Sequence, residues 1–368
     1  MIPEAVFPGG TGRYARRVRN TDWTRDAIRY GARAALGVSQ RASSGQLPKN
    51  DRGETLDAHT ASIVRLVARM PPLSSQPTGK ARADAEGYTR LTDVPFEPLP
   101  RVTERRIEGP HGAIPLRVYV PTERARALPM LVYLHGGGFV IGSLDSVDHV
   151  LRRLAKRAGV VVVSVDYRLA PEHRFPIPYE DALAATEWAL ANATSLGADP
   201  ARVAIGGDSA GGNLSASVAL ALRDRRRRDP QARMLRMQLL VYPATDLQRL
   251  SASHRTLGEG YLLTSELIAW FMDRYLRSKA DELDPRGSPL LASDHRELPA
   301  TWITIAGFDP LRDEGEAYAA KLRASGVRVE LRYEPSLIHG FFTMGGLIPQ
   351  ARECVDAAAR ALAAGLAS

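Results

Sequence analysis

The chain has 368 residues, of which 44% are hydrophobic and 24% charged, with a net charge of +8 and a single cysteine. This composition is ordinary for a globular enzyme and excludes an intramolecular disulfide. No apolar run reaches the roughly 18 residues of a membrane-spanning helix, and no secretory signal pattern is present. We therefore expect a cytoplasmic protein without a membrane span, in which Cys354 is a buried structural thiol.

The first fifty residues are a basic N-terminal extension with nine Lys or Arg and three acidic residues. A helix over residues 21–38 has only a thin apolar face, so a targeting or membrane-surface role for the segment stays open. The other basic cluster, residues 223–229, ends a predicted helix, where cations complement the helix dipole. No aromatic interleaving accompanies it, so we expect no nucleic-acid partner.

Two helices are predicted within residues 51–95. Apolar residues spaced as on one helix face indicate the first over residues 56–70, where Pro71 and Pro72 end it. The second covers residues 82–89. A proline-rich linker follows, and we place a catalytic domain over residues 96–368.

Strands and helices alternate from residue 96 onward. Two short strands joined near residue 110 predict an antiparallel hairpin at a sheet edge. The later strands are predicted at residues 130–134, 160–165, 203–205, 237–242, 302–306 and 327–333. The helices are predicted at residues 147–158, 179–195, 214–223, 314–324 and 351–362. This alternation predicts an α/β fold with a mostly parallel, doubly wound sheet.

The stretch between residues 242 and 302 contains no predicted strand and one helix, over residues 265–276. Insertions this long inside a compact domain are usually functional and often form lids. We therefore predict a cap insertion at about residues 245–290. It should pack on the N-terminal helices over the ends of the strands.

Three residues with the chemistry of a serine hydrolase follow predicted strands. Gly-Asp-Ser-Ala-Gly at residues 207–211 has the pattern of a nucleophile elbow, which exposes a serine on a strained turn. Ser209, Asp309 and His339 each follow a strand, and ligands of open α/β sheets bind beyond the strands' carboxyl ends. We predict Ser209 as nucleophile, His339 as its base and Asp309 as the acid that orients the histidine.

The glycines after residue 134 supply candidate donors for an oxyanion hole. His-Gly-Gly-Gly at residues 135–138 follows a strand at the same sheet edge. The amides of Gly137 and Gly138, with that of Ala210, would bind the negative oxygen of the reaction intermediate. His135 fits better as a residue that orders this loop than as a proton carrier.

Other residues are weaker candidates for a catalytic or metal-binding role. Asp313 and Glu314 compete with Asp309 for the acid role, but they fit the first turn of the following helix, where acidic residues complement the dipole. Asp208 lies within the elbow and is predicted to be structural. No metal site is expected, because Glu172 and His173 have no second pair at ligand spacing.

Five short motifs, in this order along the chain, resemble those of a known protein family. They are His-Gly-Gly-Gly-Phe at 135–139, Tyr-Arg-Leu-Ala-Pro-Glu-His at 167–173, Gly-Asp-Ser-Ala-Gly-Gly-Asn at 207–213, Asp-Pro-Leu-Arg-Asp-Glu at 309–314 and His-Gly-Phe at 339–341. Together they resemble the hormone-sensitive-lipase family of bacterial esterases, in its Gly-Asp-Ser-Ala-Gly branch. The resemblance implies an α/β-hydrolase fold with a helical cap, and it implies the triad and oxyanion donors named above.

The expected activity is hydrolysis of a small-molecule ester by a carboxylesterase that needs no cofactor. The resemblance implies short- to medium-chain acyl groups, and it suggests a homodimer. We expect the cap to bury the acyl chain, with Phe139, Tyr261, Leu262 and Leu263 as pocket residues. An amidase or lactonase with the same triad remains an alternative. A non-catalytic receptor on this scaffold is disfavoured, because related receptors lack the catalytic histidine that His339 supplies here.

Overall fold

The predicted strands form one eight-stranded sheet. The computed structural model describes residues 46–123 and 126–367, so the predicted helix at residues 21–38 lies outside the described residues. The strands are β1 (Arg101–Ile107), β2 (Ile114–Val120), β3 (Leu128–Leu134), β4 (Val161–Val165), β5 (Ala198–Asp208), β6 (Met237–Val241), β7 (Ala300–Phe308) and β8 (Val329–Ile338). They lie side by side in the order β1-β2-β4-β3-β5-β6-β7-β8. Strand β2 is antiparallel to β1 and β4, and all other neighbours are parallel, which confirms the edge hairpin and the mostly parallel sheet.

Helices follow the strands as predicted. They are α1 (Ala58–Val67), α2 (Thr78–Thr92), α3 (Asp148–Ala158), α4 (Ile177–Asn192), α5 (Ala210–Arg228), α6 (Ala252–Thr256), α7 (Ser265–Tyr275), α8 (Arg312–Ala324) and α9 (Pro349–Gly365). Helix α5 begins four residues before the predicted start at residue 214. Gly211 and Gly212 obscure that start, because glycine is a poor helix former.

The sheet is buried on both faces. All five residues from Met130 to Leu134 in β3 are fully buried, which explains why this strand is apolar without alternation. Side chains of α4, α5 and α8 join the core on one face of the sheet, and those of α3 and α9 join the core on the other. Cys354 in α9 is fully buried, as predicted.

The segment between β6 and β7 contacts the N-terminal helices. In α7, Glu266 accepts a hydrogen bond from Ser74 at 2.8 Å, and Arg274 donates one to Thr78 at the start of α2 at 3.4 Å. The division into an extension, N-terminal cap helices and a catalytic domain stays a prediction. Of the helices in the described ranges, none has both the length and the apolar character that a bilayer crossing demands.

Candidate active site

Ser209 lies on a tight turn between β5 and α5. Its backbone has φ +55° and ψ −117°, a conformation that non-glycine residues rarely adopt. A Cβ at Gly211 would lie 1.9 Å from the carbonyl oxygen of Leu134, and one at Gly207 would lie 2.4 Å from the same oxygen. The turn can therefore press against β3 only because both positions are glycine.

His339 bridges the other two predicted catalytic residues. Its Nε2 lies 2.9 Å from the Oγ of Ser209, and its Nδ1 lies 2.8 Å from the Oδ2 of Asp309. Asp309 is fully buried, and its other oxygen accepts the amide of Leu311 at 2.8 Å. Both histidine contacts have the length of good hydrogen bonds. The structure thus brings together a hydroxyl, an imidazole and a carboxylate from the ends of β5, β8 and β7, in the geometry of an activated nucleophile.

The loop after β3 lines the same cavity as Ser209, through Gly137 and Gly138. Its positive φ angles, +122° at Gly137, +58° at Gly138 and +64° at Phe139, turn the chain sharply. A Cβ at Gly138 would lie 2.3 Å from the ring of Phe271, so this position also requires glycine. Within the described ranges, no group accepts a hydrogen bond from the amides of Gly137, Gly138 or Ala210.

Asp208 holds this loop in place. Its Oδ1 accepts the amide of Gly136 at 3.0 Å and the hydroxyl of Tyr133 at 2.9 Å. Burial raises the pKa of the Asp208 carboxyl above its ordinary value. His135 also belongs to the loop, because its Nδ1 lies 2.8 Å from the carbonyl of Gly136 and its ring stacks on Tyr167. Both residues have the supporting positions that the sequence predicts for them.

Asp313 and Glu314 face the segment between β6 and β7. Asp313 accepts the amide of Ser253 at 2.8 Å. Glu314 lies 2.8 Å from the Nε2 of His254 and accepts the amide of Thr245 at 2.6 Å. Burial raises the pKa of Glu314. These two carboxylates anchor the start of the insertion to α8, and it is Asp309 that contacts His339.

Arg82 is an anchor that sequence reasoning missed. From α2, its Nε donates to the carbonyl of Val140 at 2.8 Å, and its Nη2 donates to that of Ala170 at 2.9 Å. It also pairs with Glu172 at 2.7 Å. Arg82 therefore ties the loop after Gly137 and Gly138 to an N-terminal helix. No spacing in the sequence indicates a contact between residues so far apart in the chain.

A second missed anchor is the N-terminal strap, which we define as residues 48–57. Asp51 accepts hydrogen bonds from both terminal nitrogens of Arg312, at 2.6 and 2.8 Å, and Asn50 donates to the carbonyl of Gly307 at 3.0 Å. Arg312 is only 2% exposed, and its guanidinium lowers the pKa of Asp51 to about 2. The strap thus clamps the loop that carries Asp309.

Two cavities meet at Ser209. The large cavity has a volume of about 460 Å³ and is lined by α1, α2, the segment between β6 and β7, and His339. Three predicted pocket residues, Tyr261, Leu262 and Leu263, line it. The small cavity has a volume of about 40 Å³, and Phe139 and Leu263 are among its walls. Among residues 46–123 and 126–367, no group of three or more His, Cys, Asp or Glu side chains is placed to hold a metal ion.

Comparison with known proteins assigns this fold to a family. The family described as alpha/beta hydrolase fold, Abhydrolase_3, matches residues 131–343. The carboxylic ester hydrolase LipN of Mycobacterium tuberculosis is 50% identical over 250 residues, which cover 67% of this chain and 66% of LipN. The ethyl acetate hydrolase of Pseudomonas putida is 43% identical over 242 residues, which cover 65% of this chain and 75% of that protein. The solved structure of a hyperthermophilic esterase from the archaeon Pyrobaculum calidifontis superposes with a TM-score of 0.79 at 38% identity, covering 84% of this chain and 98% of that one.

Proposed function

The chain belongs to the Abhydrolase_3 family of alpha/beta hydrolases, and from this premise we propose that it is a carboxylesterase for short- to medium-chain acyl esters. The observation that carries the proposal is the hydrogen-bonded series of Ser209, His339 and Asp309. A serine hydroxyl is a weak nucleophile unless a neighbouring base accepts its proton during attack. His339 has the position of that base.

The first half of the reaction forms an acyl-enzyme. The Oγ of Ser209 attacks the ester carbonyl carbon while its proton passes to the Nε2 of His339. Asp309 accepts the hydrogen bond from Nδ1–H, which fixes the tautomer and stabilises the imidazolium. The carbonyl oxygen becomes an oxyanion that faces the amides of Gly137, Gly138 and Ala210, where preorganised donors lower the barrier. The imidazolium then protonates the leaving alcohol as the carbon–oxygen bond breaks.

The second half releases the acid. Water gives a proton to His339 as it attacks the acyl carbonyl, and the same amides bind the second oxyanion. The Oγ of Ser209 leaves and regains its proton from His339, which restores the enzyme. Every proton in this cycle moves through the Nε2 of His339, so the chemistry requires no cofactor.

We further propose that α1, α2 and the insertion at about residues 245–290 act as a cap over Ser209. The hydrogen bonds from Ser74 to Glu266 and from Arg274 to Thr78 support a joint structure. A cover over the site would exclude water and strengthen the electrostatic interactions within it. The homodimer and the cytoplasmic location remain predictions.

Fluorophosphonate labelling tests the nucleophile. The wild type should be labelled and Ser209→Ala should not, because the probe reacts with an activated serine. Ser195→Ala is the matched control, since Ser195 is an exposed serine whose hydroxyl donates to the carbonyl of Asn192, and this variant should label normally. Labelling that persists in Ser209→Ala would refute the assignment. The amidase alternative is tested by comparing the rates of hydrolysis of p-nitrophenyl butyrate and of the corresponding p-nitroanilide. Faster hydrolysis of the anilide would favour an amidase.

A further inference from the structure

We propose that the N-terminal strap, residues 48–57, positions the catalytic acid and base relative to each other. The strap bonds to the ends of β7 and β8 just before Asp309 and His339, and Asn50 is its positioning residue. This inference rests on the proposed function, because it requires Asp309 and His339 to act as the acid and the base.

The strap is a small hairpin that the Asn50 side chain organises. Lys49 forms an antiparallel bridge with Thr55. The Oδ1 of Asn50 accepts the amides of Arg52 at 3.0 Å and Glu54 at 2.9 Å, so this side chain takes the place of a backbone turn contact. Asn50 is only 9% exposed. Its side chain is therefore held within the strap while its amide group remains free to bond to the rest of the fold.

The ends of β7 and β8 do not pair regularly. Ala306 of β7 pairs with Glu334 of β8. Two residues later, Phe308 pairs with Ile338, which lies four residues further along β8. Such a register shift disrupts the ladder locally, so contacts from outside the two strands help to fix where they end. Gly307 lies in this irregular stretch, where a Cβ would be 2.1 Å from a backbone oxygen of β8.

The strap bonds to both strands within the irregular stretch. The Nδ2 of Asn50 donates to the carbonyl of Gly307 in β7 at 3.0 Å. The amide of Asp57 donates to the carbonyl of Ser336 in β8, also at 3.0 Å. The strap thus bridges the two strands just before the turns that carry the acid and the base.

Two further contacts reinforce this bridge. The Glu54 carboxylate accepts the hydroxyl of Tyr333, which lies in β8. Arg312, which is held by Asp51, donates to the same Gly307 carbonyl at 3.3 Å. The relative position of the strand ends is therefore restrained by Asn50, Asp51, Glu54 and Asp57 together.

The contact between acid and base depends on this relative position. The Oδ2 of Asp309 lies 2.8 Å from the Nδ1 of His339, and the two residues follow different strands. A displacement of one strand end against the other would lengthen or tilt this hydrogen bond. A misplacement of about 1 Å caused by a change far from the chemistry can lower a rate by about 10²-fold.

The strap acts without touching the substrate. It lies wholly within the described ranges and lines neither cavity at Ser209. A change in the strap should therefore leave ground-state binding intact and weaken an interaction that matters in the transition state. Such a change lowers kcat and kcat/KM equally and leaves KM unchanged.

Asn50→Ser tests the bond to Gly307. A serine hydroxyl can still accept an amide inside the hairpin, but it is too short to reach the Gly307 carbonyl. We expect kcat on p-nitrophenyl acetate to fall about tenfold while KM changes less than about twofold. Asn50→Ala should show the same fall, and it replaces Asn50→Ser if that variant does not fold. Near-ultraviolet circular dichroism at the assay temperature verifies that each variant is native.

Arg52→Ala is the matched control within the strap. Arg52 pairs with Glu316 at 2.7 Å, and both side chains are about one third exposed. Its side chain does not bond to β7 or β8, so this variant should keep the kcat of the wild type.

A double-mutant cycle tests whether Asn50 acts through the acid. Asn50→Ser is added to Asp309→Asn, and kcat is measured at high enzyme concentration. An effect exerted through the position of a carboxylate disappears when that carboxylate is absent, so the added change should lower kcat by less than about twofold. A fall as large as that in the wild-type background would refute the proposal.

The other outcomes separate this inference from the proposed function. A wild-type kcat in Asn50→Ser and Asn50→Ala, or an equal fall in Arg52→Ala, would also overturn the inference. In each of these cases the fluorophosphonate would still label Ser209. Loss of specific labelling at Ser209 in the wild type would instead contradict the proposed function.

Discussion

Replacing Asp51 by alanine tests whether the N-terminal strap stabilises the loop that carries Asp309. The change removes two hydrogen bonds to Arg312, at 2.6 and 2.8 Å. The Arg312 guanidinium, whose residue is only 2% exposed, then lacks this carboxylate partner. Removing one partner of a fully buried ion pair costs about 3–5 kcal/mol. The cost should be smaller here, because the Asp51 side chain is 26% exposed and Arg312 keeps its ion pair with Asp313 at 2.8 Å. We therefore expect a loss of about 2 kcal/mol in the free energy of unfolding.

The neighbouring residue offers a matched control. Arg52 pairs with Glu316 at 2.7 Å, but both side chains are about one third exposed, at 36% and 34%. Exposed ion pairs contribute less than about 1 kcal/mol, so Arg52→Ala should cost clearly less than Asp51→Ala. Urea unfolding at pH 7 measures both, provided that the slope of free energy against urea does not change.

The pH dependence gives an independent check on Asp51. Its folded pKa of about 2 lies below the ordinary value of 3.8, so the carboxylate stabilises the fold above about pH 4. That contribution is lost as the pH falls towards 2. The stability difference between wild type and Asp51→Ala should therefore shrink over this window. Two results would refute the reasoning. One is an equal loss of unfolding free energy in Asp51→Ala and Arg52→Ala. The other is a stability difference between wild type and Asp51→Ala that stays constant down to about pH 2.

Three further predictions follow from the site and the core. Asp309→Asn should lower kcat by about 10⁴ on p-nitrophenyl acetate, because the amide favours the wrong histidine tautomer, and a loss under tenfold would indicate another acid. Gly211→Ala should destabilise the fold by about 3 kcal/mol and abolish fluorophosphonate labelling, since its Cβ would lie 1.9 Å from the oxygen of Leu134; wild-type stability and labelling would contradict this. Burial raises the pKa of the Cys354 thiol to about 12, so the native protein should not react with dithiobisnitrobenzoate at pH 8 and should react once per chain in guanidinium. Fast reaction of the native thiol would show that it is accessible.

The elements of the sheet were predictable because their signals are local. The apolar run from residue 130 to 134 corresponds to β3. The Thr264 side chain caps α7 by accepting the amide of Leu267, and threonine is a common residue at this position before a helix. The start of α5 was placed too late, because the glycines of the elbow hide a helix that tertiary packing imposes. Local propensity predicts where a strand or helix lies better than where it begins.

It was also predictable that the candidate catalytic residues lie close together, because this follows from the sheet topology. Parallel strands end at one edge of a sheet, so the residues after β5, β7 and β8 had to come close. The distances of 2.9 and 2.8 Å from His339 to Ser209 and Asp309 agree with that reasoning. The positions of the glycines were predictable too, since a tight turn against a strand excludes a Cβ.

Two properties of the site depend on contacts between distant parts of the chain. Asp51 meets Arg312 across 261 residues, and the motif that contains Arg312 does not reveal which carboxylate it binds. The same holds for the two cavities, whose unequal volumes depend on how α1, α2 and α7 pack above Ser209. The amino-acid sequence determined the α/β architecture and which candidate residues lie at one edge of the sheet, because periodicity and strand order are properties of neighbouring residues. Only the tertiary structure decided how the loop that carries Asp309 is clamped and how large the two cavities at Ser209 are, because both depend on side chains brought together by folding.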